Sequence, residues 1–259
     1  MRPDERQLTP DWRRWRDFFE ARPLHALPDP FSADPALADV STSVARSLAI
    51  FQLGESGGGS VVEQARRSRL PGIDADYARA LERFVAEEHR HAELLACAVR
   101  MLGGELIRRN WTARLFVAGR RLLGLRLKVA VLLAAEVVGI CYYELLASRL
   151  PPGRLRLLLR TIARDEIAHL DFHCTFLRTQ TRSPWRRRLF RLAWRTLSLA
   201  AGCVVLIDHR QALRDLGLPP RVVLRRFLAC ARQAETLVVT DPRDTGCGDV
   251  PAADGRLSS

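Results

Sequence analysis

The sequence predicts an all-helical bundle, and three observations carry that expectation. No stretch alternates apolar and polar residues between turn signals, so strands are not expected. Long segments with apolar residues three and four apart end at Leu70-Pro71-Gly72, Gly103-Gly104 and Pro151-Pro152-Gly153, residues that stop helices. An acidic–imidazole spacing that aligns side chains on one helical face also occurs twice, in Glu87-Glu88-His89-Arg90-His91 and in Asp165-Glu166-Ile167-Ala168-His169.

In chain order, a short helix is expected around Pro10 to Glu20, where Trp12, Trp15 and Phe18 recur at helical spacing and supply packing for the main body. A Pro-rich loop leads to Pro35. A first long helix begins between Pro35 and Ser43 and runs to about Arg69. It contains Gly54-Glu55-Ser56-Gly57-Gly58-Gly59, and each glycine weakens a helix by roughly 1 kcal/mol relative to alanine. Such a run makes sense if it clears space beside Glu55; otherwise it marks a close helix crossing or a loop that splits the helix. A second helix, capped by Asp74 or Asp76, runs to Leu102. A third helical region spans about Trp111 to Arg149 with a bend near Gly124, and a fourth spans about Arg154 to Thr179. Two more, Pro184 to Leu216 and Pro219 to Val239, are Arg-rich on one side and apolar on the other. Residues 1–240 are therefore expected to form one domain, with a core bundle at about 40–180 and a C-terminal helical extension at 184–240. The Gly-, Asp- and Pro-containing segment 241–259 is expected to be disordered.

Composition narrows the setting. The 259 residues carry a formal charge of +12, and Lys128 is the sole lysine among 41 basic residues. This bias is compatible with a compositional origin or with a polyanionic partner such as RNA, an acidic carrier protein or an anionic membrane surface. Cysteines 97, 141, 174, 203, 230 and 247 form no C-x-x-C pair, which argues against a zinc site or disulfide framework and for buried thiols in a reducing compartment. The N-terminal MRPDERQLTPDWRRW lacks the apolar core of a secretion signal, so a cytoplasmic location is expected, with peripheral membrane contact left open. Val129 to Ala147 is apolar enough to raise the question of a membrane span, but Glu136 and Glu144 lie within it and favour a buried bundle helix.

The chemistry resides in the carboxylates and imidazoles. At 3.6 residues per turn, Glu166, His169 and His173 share one face, and Glu88 and His91 repeat the first part of that pattern. Glu136 lies amid Leu132-Leu133-Ala134-Ala135 and Val137-Val138-Gly139-Ile140, where an unpaired charge is expensive unless a metal or a proton neutralises it. Glu55 to Glu88 is 33 residues and Glu136 to Glu166 is 30, each suited to a helical hairpin, while the 48 from Glu88 to Glu136 allow a long crossover. Four glutamates and two histidines can hold two hard first-row metal ions, with Glu55 and Glu136 closing the outer sides. Glu63 and Glu144 are rival outer ligands, but their shorter intervals make the hairpins short. His173 is a possible extra ligand; an outer-layer or core role remains equally open, since Leu95 occupies the corresponding place in the other copy. His89 points about 200° away from His91 and is expected at the surface. His209 has an apolar flank that permits a place near the site. Tyr142 and Tyr143 fit core packing better than a redox role.

The set Glu55, Glu88-x-x-His91, Glu136 and Glu166-x-x-His169 resembles the ferritin-like di-iron carboxylate superfamily, in its oxygenase-like EExxH/DExxH branch. The resemblance covers residues 40–180. It implies a ferritin-like four-helix bundle with a long crossover, to which this chain adds an N-terminal helix and two C-terminal helices. It further implies two Fe ions (or a Mn/Fe pair), O2 as co-substrate, and Glu87 and Asp165 as second-layer partners, each hydrogen-bonded to the histidine of the opposite copy. Related N-oxygenases carry an additional histidine, but theirs precedes the last ExxH whereas His173 follows it. The implied activity is that of a hydroxylase, N-oxygenase or desaturase, with no catalytic residue beyond the metal site. The chain has neither rubredoxin-type C-x-x-C knuckles nor a G-x-G-x-x-G loop, so electrons are expected from a separate reductase. A small-molecule or carrier-bound substrate and a homodimer are compatible partners. Alternative readings are a ferroxidase or iron-binding protein, and a non-catalytic basic bundle that binds RNA, membrane or an acidic partner.

Overall fold

A computed structural model describes residues 10–29, 35–57, 60–111 and 124–240, and every regular element among them is helical. The elements are α1 (Trp12–Glu20), a short 3₁₀ turn (Pro35–Leu37), α2 (Thr42–Glu55), α3 (Ser60–Arg67), α4 (Ala75–Met101), α5 (Leu125–Arg149), α6 (Arg154–Gln180), α7 (Pro184–Asp208), α8 (Arg210–Asp215) and α9 (Pro220–Val239). The expected tail at 241–259 lies outside the described residues, as does 112–123 in the expected third helix.

Local chemistry sets most of the boundaries. Asp11 accepts a hydrogen bond from the Arg14 amide at 3.0 Å, and Asp74, rather than Asp76, caps α4 by accepting from the Tyr77 amide at 2.8 Å. At the far end of α4, Gly103 takes φ +67°, and the Gly104 amide donates to Val99 O at 2.9 Å, which satisfies carbonyls the helix leaves open. Gly104 is needed for a second reason: a Cβ there would come within 2.6 Å of Ala45 Cβ on α2.

Three expected helices are altered. The first long helix divides, because α2 ends at Glu55 and α3 starts at Ser60, so the glycine run splits it. Gly124 is extended (φ −63°, ψ 160°) and precedes α5, so it starts a helix where a bend was expected. The segment from Pro184 to Leu216 breaks at His209, whose side chain turns into the interior.

Two apolar clusters organise the body. One joins Trp12, Trp15, Phe84, Val129, Val137, Phe172 and Phe176; the other joins Val44, Leu48, Leu95, Val99, Tyr143, Leu146, Leu159 and Ile162. Their order along each helix gives its direction. Both α4 and α5 run from the first cluster to the second, while α2 ends and α6 travels in the opposite sense, towards the first. Consecutive α4 and α5 thus run parallel. Between the clusters α4 places Glu87, Glu88 and His91, and α6 places Asp165, Glu166 and His169: a buried polar layer between two apolar ones.

The N-terminal α1 plugs the first cluster as expected. Trp12 and Trp15 are buried, the Trp12 indole donates to Gly72 O at 2.6 Å, and its ring meets Tyr77 edge-on at 4.7 Å. The helix α9 packs against α5, α6 and α7, with the Trp194 indole donating to Ala231 O at 2.8 Å.

Candidate metal centre

The polar layer gathers side chains from four helices. One donor atom from each of Glu88, His91, Glu166 and His169 lies within 4.8 Å of all the others, and all four residues are buried. The histidine Nδ1 atoms face inward. His169 Nδ1 lies 2.9 Å from Glu88 Oε1 and 3.0 Å from Glu166 Oε2, and His91 Nδ1 lies 3.2 Å from Glu166 Oε1. Glu136, from α5, hydrogen-bonds Glu166 and has Oε2 3.9 Å from His169 Nδ1. Glu55 closes the other side: the residue is half-buried, yet its carboxyl reaches Glu88 and accepts from the Tyr143 hydroxyl at 3.0 Å. A Cβ at Gly54 would meet no atom within 4 Å beyond its chain neighbours and its own helical backbone. On α5, a Cβ added at Gly139 would stand 3.3 Å from Tyr143 Cε2 and in ordinary contact with Glu166 Cγ at 3.6 Å.

The outward nitrogens are held from across the bundle. His91 Nε2 pairs with Asp165 at 3.2 Å, and His169 Nε2 pairs with Glu87 at 3.0 Å. Each histidine on one helix is thus oriented by the acid that precedes the glutamate on the other. With Nε2–H given to a carboxylate, the tautomer leaves the Nδ1 lone pair facing the centre.

The buried groups of the layer shift one another's protonation in opposite directions. Burial, followed by the charges of Glu88 and Glu166, pushes Glu55 and Glu136 well above the usual carboxylate range. Burial and the Glu166 charge act in the same direction on Glu88, yet its close contacts with His169 and His91 hold it at about 2. Burial also opposes ionisation of Glu166, but its hydrogen bond with Glu136 and the nearby His91 hold it well below the normal range. Both histidines are pushed down by burial and lifted well above their ordinary value by the surrounding carboxylates. Glu88 Oε1, Glu166 Oε1 and His91 Nδ1 lie within ion-pair distance of neighbours, yet none makes a directed hydrogen bond. Inward donors without directed partners, made of carboxylate oxygen and imidazole nitrogen only, are the donor set that a hard or borderline divalent ion demands.

A further layer comes from the segment after α1, which spacing did not single out. Arg22 binds Asp165 and lies 3.5 Å from Glu87, and His25 Nε2 lies 2.6 Å from Asp165 Oδ2. Burial would raise the Asp165 carboxyl, but the His91 hydrogen bond and the Arg22 charge hold it at about 2. Arg22, His25, Arg90, Glu87, His91 and Asp165 line a cavity of about 360 Å³ that opens on this outer edge of the layer. Nothing in the local pattern around Arg22 signals this role; only a long-range contact reveals it. Tyr143 packs as its sequence suggests, with a buried ring, but its hydroxyl also anchors Glu55.

The remaining candidates separate cleanly. Glu63 pairs with Arg66 and Arg67 and Glu144 with Arg226, so neither rival outer ligand enters the cluster. His89 is exposed. His173 is wholly buried, with Nε2 3.4 Å from Glu136 Oε1 and its ring edge-on to Phe84 at 4.7 Å. Neither of its nitrogens makes a hydrogen bond, and burial followed by the His169 charge holds its pKa at about 3, so it is neutral. His209 belongs elsewhere: its Nδ1 lies 2.8 Å from Ser47 Oγ, and its ring stacks on Phe51. The cysteines among the described residues are free thiols outside the cluster.

Comparison with known protein families, with curated proteins and with solved structures finds no match. The description that stands is a helical protein with a buried Glu/His cluster suited to a metal ion.

Proposed function

We propose that this protein is an O2-dependent di-iron oxidoreductase with a ferritin-like bundle, acting on an organic substrate as a hydroxylase, N-oxygenase or desaturase and drawing electrons from a separate reductase. The observation that carries the proposal is the paired orientation of the two histidines, Nδ1 inward among carboxylates and Nε2 fixed by the opposite helix. Glu55, Glu88, Glu136, Glu166, His91 and His169 would hold two metal ions, iron or a Mn/Fe pair. Four carboxylates balance the charge of two divalent ions, which makes a dinuclear filling the electrically neutral one. When bound, such a pair supplies a site at which O2 is reduced beside a substrate.

The protein's own groups orient and insulate. Glu87 and Asp165 hold the rings and raise their basicity, and Arg22 and His25 keep Asp165 ionised so that it can do so. The apolar clusters on either side limit water at the layer and strengthen every charge interaction within it. Tyr143 donates to Glu55 and keeps that carboxyl turned inward at the broken end of α2.

Anaerobic addition of Fe(II) followed by desalting and metal analysis tests the reading. About two irons per chain are expected, together with O2 uptake when reductant is supplied. Glu136→Ala and His169→Ala should each abolish dinuclear loading while circular dichroism remains helical. Full loading of both variants, or no stoichiometric metal in the unaltered protein, refutes the assignment.

A further inference from the structure

The helix α7 presents an apolar surface on both sides, although only one of them is covered. Among the described residues two helices are long and apolar enough to cross a membrane, α5 and α7, but 83% of the most apolar window of α5 is buried within the protein against 22% for α7. The inner side of α7 is anchored. Trp194 donates to Ala231 O, Arg195 pairs with both oxygens of Glu235 at 2.9 and 3.0 Å, and Gly202 allows Leu224 and Phe227 of α9 to approach within 3.1 Å of where a Cβ would stand.

On the outer side, Trp185, Leu189, Leu192, Leu199, Cys203 and Ile207 are all exposed, and the five apart from Cys203 have exposures of 51% to 69%. At 100° per residue these six fall within an arc of about 80°, opposite Trp194 and Val205. The stripe runs the length of a 25-residue helix, about 37 Å. Thr196 is the one polar residue of α7 exposed within that arc, and a soluble surface rarely leaves so long an apolar strip uncovered. Arginines border it: Arg186 lies over the Trp185 ring at 5.3 Å on one flank, and Arg188 stands on the other, followed by Arg191 and Arg195, which both pair with Glu235.

We propose that this face of α7 is a docking surface for an anionic lipid bilayer, with the helix lying in the plane of the interface. The anchored inner side rules out a crossing orientation without unpacking α9. Charge complementarity selects the partner. Two copies of a chain with a formal charge of +12 would bring these arginine flanks together along the seam, whereas acidic headgroups attract them. Trp185, at the amino end, is the amphipathic residue that favours the headgroup level.

Vesicle flotation tests this independently of the metal centre. The full chain should float with phosphatidylcholine vesicles containing about one quarter phosphatidylserine, and bind neutral vesicles roughly tenfold more weakly. Added salt should weaken the anionic binding. Replacing Leu189, Leu192 and Leu199 with Gln should lower binding at least about tenfold with unchanged melting, since these side chains are exposed. A charge variant, Arg186→Gln with Arg188→Gln, should weaken anionic binding and leave neutral binding as it was. Maleimide, with the site read by peptide mass, should label Cys203 in solution and be blocked on anionic vesicles. Absence of flotation, or flotation unaffected by the leucine replacements, overturns the proposal. So does a Cys203 already shielded in solution together with a dimer that the leucine replacements dissociate, which would assign the face to a second copy.

Discussion

Filling the buried layer with metal should expel protons, and the structure sets the scale. Without metal, Glu88 and Glu166 are ionised, while Glu55 and Glu136 are biased to keep a proton and His91 and His169 to gain one. Four protons on six groups make the layer neutral, and two divalent ions provide the same positive charge. Loading both ions near neutral pH should therefore release up to four protons. The linkage has a second consequence. Groups with raised folded-state pKa values bind more protons in the folded chain than in the unfolded one, so they contribute stability at low pH that is lost as pH rises. For His91 and His169 the loss starts above the ordinary imidazole value near 6.5, and for Glu55 and Glu136 above 4.5. The depressed Glu88 and Glu166 act in the opposite direction, adding stability above 4.5 that disappears as pH falls. Each proton retained by the folded chain alone costs about 1.4 kcal/mol of stability per pH unit. The metal-free protein should thus melt at lower temperature from pH 6.5 to 8, and the loaded protein should show a much flatter profile. Calorimetric titration in buffers of different ionisation enthalpy counts the protons, and scanning calorimetry follows the melting. Release of one proton or none on filling both positions would refute this charge assignment.

Two further substitutions probe the supports of the layer. Asp165→Asn removes the ionised partner of His91, Arg22 and His25, so metal affinity should fall by about 10- to 100-fold with the helical content retained, as competition with a chelator will show. Gly104→Ala brings a Cβ within 2.6 Å of Ala45 Cβ where α4 ends against α2, and should destabilise the protein by about 1–3 kcal/mol in denaturant unfolding, with the metal donors unaltered.

Much of the site was legible in the chain because its core is a matter of helix periodicity. Residues three and four apart share a face whatever lies around them, so Glu88 with His91 and Glu166 with His169 could be paired from number alone. The Glu136 carboxylate announced itself by its apolar flanks. The glycine run could be read as open space or as a broken helix, and the break is what the fold shows: one helix stops at Glu55 and the next starts at Ser60. The position of His209 was not legible, since an apolar flank says that a side chain is buried but not in which cluster.

Spacing along the sequence determined the helices, their stops and the residues that could face one another. Packing decided the rest, because contacts between distant segments depend on how helices lie across each other and leave no periodic trace. It brought Arg22 and His25 onto Asp165 from 143 and 140 residues away, turned the Tyr143 hydroxyl to Glu55 and aimed His173 at Glu136. It also left one side of α7 bare. The sequence shows that this helix carries both arginines and apolar residues, but only its seat against α9 determines which of them remain exposed to water.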